Sequence, residues 1–162
     1  MSTLIKQDIL VELLGNAGTG FEQVREAGKS AFQAQGFPTN KSEEYKFTAI
    51  TKKIEQTIQN FASAGAFEIT AEQVKANVFP DFAGDVLVFA NGHYLPSLSS
   101  NIEGVEISTL SDKVDTALGS IAKPEKDPFC ALNQSSFDGG VFISVPKKAQ
   151  IQKPILFLNF FK

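Results

Sequence analysis

The sequence predicts an α+β protein, with a helical N-terminal region followed by short strands. Two observations carry this. Apolar residues recur at steps of three and four through the first eighty residues, and from Asp85 onward they gather in short β-rich runs bounded by Gly, Pro and Asn. A third observation concerns the last quarter. There 141–145, a lone Ile151 and 155–161 are separated by polar corners, which reads either as a stacked β-helix coil or as a hairpin pair. The change of pattern divides the chain into a helical domain at 1–80 and an α/β, strand-rich part at 81–162.

In chain order, residues 4–14 carry Ile9, Leu13 and Leu14 at helical spacing, and Gly15-Asn16 ends that run. Residues 19–35 form a second amphipathic pattern with Phe21, Val24, Gly28, Ala31 and Phe32 on one face, started by Gly18 or Thr19. Gly36 is placed to end it in a left-handed conformation, and Pro38 stops it from resuming. Ile50, Ile54, Ile58 and Phe61 make a third stripe. Thr70 and Gln73 form a capping box, flanked by Ile69 and Val74 at the staple positions. The run 86–90, then Asn91-Gly92, then 93–95 is a hairpin signal, with Pro96 closing the second strand. Residues 105–108 alternate as a strand, and 111–118 read as a short helix. Asp127-Pro128 starts a helix running to about Ser136, with Asp as cap and Pro at the first position.

Composition narrows the function. Fifteen basic residues, nearly all lysine, are scattered in a chain of net charge −3, which argues against a nucleic-acid footprint. One cysteine excludes an internal disulfide framework and suits a reducing cytoplasm. No run is apolar for long enough to span a bilayer, and the first residues lack a signal peptide's apolar core. Fifteen Phe and no Trp point to core packing.

The densest stretch is Gly36-Phe37-Pro38-Thr39-Asn40-Lys41-Ser42-Glu43-Glu44-Tyr45-Lys46-Phe47-Thr48. As plain physics it is a helix connector with a solvated charge cluster, and Tyr45 and Phe47 are expected to pack and to join the helices to the strands. It also resembles the Gly-x-Pro-Thr…Glu-Glu-Trp-Lys-Tyr-Thr signature of the SufB/SufD family of iron–sulfur cluster assembly proteins, the SufD branch in particular. Tyr45 stands where the family usually has Trp, and Phe47 where it often has Tyr. Further on, Asn91-Gly92 with Pro96, Ala131-Leu132-Asn133, Gly140, Val145-Pro146-Lys147 and Lys153-Pro154-Ile155 resemble that family's approach to its β-helix, in the same order.

The resemblance implies the N-terminal part of a SufD-like subunit, with the first coil of a right-handed β-helix truncated at Lys162. It implies a non-catalytic scaffold whose partners are a SufB-like subunit and a SufC-like ATPase. The iron–sulfur cluster belongs to the parent complex, and no cofactor is expected in this chain. Gly36, Pro38, Thr39, Glu43, Glu44, Tyr45, Lys46, Asn91 and Gly92 are the family-motif residues and candidate contacts. The apolar C-terminal strand, left at an edge, is expected to support a homo-oligomer.

The residues themselves offer little chemistry. His93 is the one imidazole and flanks a turn, while Cys130 reads as a small buried hydrophobe. Adjacent Glu43 and Glu44 diverge on a helix and make no acid–base dyad. Gly15 to Gly20 lacks the Gly-Lys-[Ser/Thr] ending of a phosphate loop. Two other functions are weighed: a fragment of a β-helix enzyme, which would bring grouped Asp, Arg or Lys on its coils, and a free-standing interaction module.

Overall fold

The computed structural model describes residues 21–57, 65–110, 118–137 and 139–162. The run expected to be helical at 4–14 lies outside these residues, as does nearly all of the helix expected at 111–118. The helices are α1 Glu22–Gln35, α2 Ile50–Thr57, α3 Ala71–Asn77 and α4 Pro128–Ser136; the strands are β1 Asp85–Ala90, β2 His93–Tyr94, β3 Glu106–Thr109, β4 Val141–Ser144 and β5 Ile155–Phe160. The chain is α+β, with two compact units: Met1–Ser63 with Val114–Asp138, and Ala64–Lys113 with Gly139–Lys162. This partition follows contacts, whereas the 80/81 division follows composition. The two differ because α4 packs with α1 rather than with the strands around it in sequence.

In the first unit α1 begins later than its sequence indicates. Its cap is Phe21, at φ 60°, and no side chain closes the turn. Gly36 ends it with a positive φ of 66° and an N–H bond to the Phe32 carbonyl, but its ψ of −169° is extended rather than left-handed helical. Helices α1 and α4 meet backbone to backbone at Gly28. A methyl group there would lie 2.7 Å from the Ser135 nitrogen and 2.9 Å from the Ala131 oxygen. Phe32 and Ala131 are buried beside this crossing. The polar links run between the same elements: Gln134 Nε2 donates to the Val24 carbonyl at 2.9 Å, and Arg25 Nη2 to the Phe137 carbonyl at 2.8 Å.

The second unit is built on β1. Asn91 and Gly92, with φ of 46° and 85°, form the two-residue turn that matches strand twist, and β2 returns antiparallel with Phe89 opposite Tyr94. On its other side β1 pairs with β5 in parallel, Val86 opposite Leu156 and Val88 opposite Leu158. The sheet order is β2-β1-β5. Where β2 ends, hydroxyls take over as acceptors: Val88 N–H donates to Ser99 Oγ and Val86 N–H to Ser100 Oγ, each at 2.9 Å. Strands β3 and β4 form a separate antiparallel pair. Leu87, Phe89 and Ile102 are buried, with Ile107, Val141, Ile143 and Ile155 packed against them. The last quarter is therefore no hairpin, because β4 and β5 belong to different sheets. The capping box forms as read: Gln73 N–H donates to Thr70 Oγ1 and Thr70 N–H to Gln73 Oε1.

Candidate partner-contact site

The connector between α1 and α2 is held from within and from below. Thr39 and Ser42 close a small turn: Ser42 N–H donates to the Thr39 carbonyl at 2.9 Å, and Thr39 N–H to Ser42 Oγ at 3.2 Å. Pro38 is buried, and its carbonyl accepts from Thr51 Oγ1 at 2.6 Å, tying the connector to α2. A single 3-10 turn, Glu43–Tyr45, then aims Tyr45 back at α4. Four rings run in sequence from α1 through the connector to α4. Phe32 and Phe37 lie 5.1 Å apart, Phe37 and Phe129 6.2 Å, and Phe129 and Tyr45 5.6 Å. Edge contacts of this kind are favoured over face-to-face stacking by the ring quadrupoles.

At the end of the chain of rings, the Tyr45 hydroxyl donates to Asp127 Oδ2 at 2.5 Å. Asp127 also caps α4, where Oδ1 accepts from the Cys130 N–H at 2.7 Å. The hydrogen bond to Asp127 pushes the Tyr45 hydroxyl up to about 12, and the same bond holds the Asp127 carboxyl below its usual range. Asp127 was legible as a cap and not as the partner of Tyr45, since no local signal joins positions 82 residues apart.

Phe47 departs from expectation. It is 93 % exposed, and the Nζ of its neighbour Lys46 lies 5.6 Å from the ring centre. The 3-10 turn spends its inward direction on Tyr45, so the residue two places on faces water. Tyr45 in turn joins the connector to a helix and not to strands. Glu43, Glu44 and Lys46 are exposed as well. The sequence motif therefore splits into inward-facing residues that fix the connector, Pro38 and Tyr45, and a solvent-facing set that includes Glu43, Glu44, Lys46 and Phe47.

The sequence matches the family model of the SufBD protein N-terminal region over residues 12–157. The chain belongs to the SufBD family. A search of curated proteins found no match.

Asn91 and Gly92, the remaining candidate contacts of this SufBD region, lie in the second unit. Asn91 turns the chain and also ties two segments down: its Nδ2 donates to the Gly65 carbonyl at 3.0 Å and its Oδ1 accepts from Lys162 N–H at 3.1 Å. Gly92 supplies the second positive φ. His93 is half-buried with Nε2 unpartnered among the described residues. Cys130 is half-buried, and burial, followed by Asp127 and Glu125, pushes its thiol up, away from the reactive thiolate. Among the described residues, no three His, Cys, Asp or Glu side chains gather as metal ligands would. One cysteine and one histidine do not make up a cluster's closed ligand set. An open cleft of about 580 Å³ lies beside Asp85, Asn101, Ile102, Glu103, Gln150 and Lys153. Its lining mixes both charge signs, Asp85 and Glu103 with Lys153. Among the described residues, no helix is long and apolar enough to cross a membrane.

Proposed function

We propose that this chain is the N-terminal region of a SufD-like scaffold subunit, acting in the cytoplasm, and that its work is structural. The observation that carries this is the family match across 12–157. Under this reading the subunit assembles with a SufB-like protein and a SufC-like ATPase, and the iron–sulfur cluster is the cargo of that complex. The helical unit offers Glu43, Glu44, Lys46 and Phe47 to a partner, while Tyr45, Pro38 and Asp127 hold that surface in place. The parallel β1–β5 pair, with β5 at the sheet edge, supports a strand-upon-strand continuation of β-helix type. No residue of this chain performs catalysis in this scheme.

A chimera tests it. In cells lacking their own SufD, a SufD whose N-terminal region is replaced by this chain is expected to restore the assembled complex and the activity of an iron–sulfur enzyme. A chimera that accumulates folded but restores neither overturns the assignment.

A further inference from the structure

Asn91-Gly92 is the only Asn-Gly step in the sequence, and it forms the two-residue turn between β1 and β2. Such a step carries its own chemistry. Glycine has no Cβ to shield its backbone nitrogen, so that nitrogen can approach the carboxamide carbon of the residue before it. Here Gly92 is exposed, a Cβ added to it would meet open space, and no described group accepts from its N–H. The nucleophile and water are therefore both at hand. The carboxamide is held back. Its Nδ2 donates to the Gly65 carbonyl at 3.0 Å, and its Oδ1 accepts from Lys162 N–H at 3.1 Å. The Asn91 backbone is fixed too, since its N–H donates to the Phe160 carbonyl at 2.8 Å.

We propose that Asn91 is a site of spontaneous deamidation restrained by the folded turn, and that the reaction releases the segment at Gly65. The Gly92 nitrogen loses its proton and bonds to Asn91 Cγ. The Cγ–Nδ2 bond breaks, and Nδ2 leaves with a proton as ammonia. Water then opens the cyclic imide at either of its two carbonyls. Opening at Cγ leaves aspartate; opening at the main-chain carbonyl leaves isoaspartate, in which the chain runs on through Cγ. Both products lose Nδ2, the donor to the Gly65 carbonyl. In aspartate a carboxylate oxygen replaces that donor and faces the carbonyl unpaired. Isoaspartate also lengthens the main chain inside the turn, which breaks the register of Phe89 with Tyr94 and Ala90 with His93. The first step needs Cγ to swing onto Gly92, so both carboxamide hydrogen bonds must open beforehand. The reaction thus records local opening, and refolding does not undo it. This inference rests on the turn and not on the scaffold assignment above.

The test incubates the full chain in mildly alkaline buffer, folded in one arm and unfolded in urea in the other. Fragment-ion masses then locate the amide-to-acid gain. Asn91 is expected to convert at least about tenfold faster in the unfolded arm, because the native turn reacts only through local opening. Asn91→Asp installs the aspartate product, and Asp-Gly suits the same turn. Chymotrypsin is expected to cut this variant after Phe67 at least about threefold faster than the native chain, because the neighbouring Gly65 carbonyl has lost its tie. Equal rates in the two arms overturn the proposal. So does the absence of conversion in both, or conversion at another asparagine ahead of Asn91. Unchanged cleavage after Phe67 overturns the release of the Gly65 segment.

Discussion

The hydroxyl of Tyr45 donates to the carboxylate of Asp127, and that carboxylate is also the N-cap of α4. One side chain thus closes a helix and holds a connector that arrives from 82 residues earlier. Each role reinforces the other. The backbone N–H of Cys130 orients the carboxylate for Tyr45, and Tyr45 brings the exposed residues Glu43, Glu44, Lys46 and Phe47 to a fixed place.

The first prediction separates the two halves of the motif. Tyr45→Phe keeps the ring against Phe129 and loses only the hydrogen bond to a charged acceptor, at a cost of about 1–2 kcal/mol. Tyr45→Ala also removes the ring contact and should cost about 2–3 kcal/mol, below the full-core range because the ring is half-buried. Glu43→Ala and Phe47→Ala, both at exposed positions, should stay within about 0.5 kcal/mol. Urea unfolding of the four variants checks the ranking. A Phe47→Ala loss as large as that of Tyr45→Ala would contradict the exposed placement.

The same bond sets a pH dependence, and the two partners act at opposite ends of the scale. Asp127 has its carboxyl lowered by Tyr45, so its stabilisation is present above the ordinary carboxylate range and is lost as pH falls through the lowered value. Tyr45 has its hydroxyl raised from 10.0 to about 12. The unfolded chain releases that proton first, so the stabilisation is complete below pH 10.0 and declines as pH rises toward about 12. The difference in unfolding free energy between the native chain and Tyr45→Phe should therefore be flat through neutral pH and shrink at both extremes. A difference constant from acid to alkaline conditions would contradict the bond.

Glycine 28 offers a test of opposite sign to the usual rule. Gly→Ala inside a helix ordinarily stabilises by about 1 kcal/mol. Here the added methyl would sit 2.7 Å from the Ser135 nitrogen and 2.9 Å from both the Ala131 oxygen and the Gln134 carbonyl carbon, all of them backbone atoms that cannot rotate away. Gly28→Ala must push α4 off α1 and should destabilise by about 1–3 kcal/mol. Thermal unfolding of this variant, with an exposed Ala substitution elsewhere on α1 as control, decides it.

Features written in adjacent residues were legible from the sequence. The Thr70–Gln73 box, the Asn91-Gly92 turn and the Asp127-Pro128 helix start each depend on backbone geometry within a few positions, and each forms as read. Gly28 was placed on the correct face of α1, although its reason, contact with a helix a hundred residues away, was not visible. The long-range pairings were out of reach for the same cause. Nothing near Asp85 indicates that β1 takes β5 as a parallel neighbour, or that Ser99 and Ser100 hydroxyls complete its other edge. Phe47 shows the limit of composition. An aromatic beside Tyr45 looks like core until a 3-10 turn decides which of the two faces inward.

The last prediction concerns the cargo. A cluster held by protein needs several thiolate or imidazole ligands in one place. This chain has one cysteine and one histidine, too few for such a set. Cys130 is further disfavoured as a ligand, because burial and the nearby Asp127 and Glu125 carboxylates keep its thiol protonated. Anaerobic reconstitution with iron and sulfide, followed by desalting, should therefore leave a colourless protein without the visible absorption of a cluster. The same treatment of the Cys130→Ala variant should give an identical spectrum. A stoichiometric chromophore that survives desalting in the native chain and disappears in Cys130→Ala would overturn the structural reading, because it would make Cys130 a ligand.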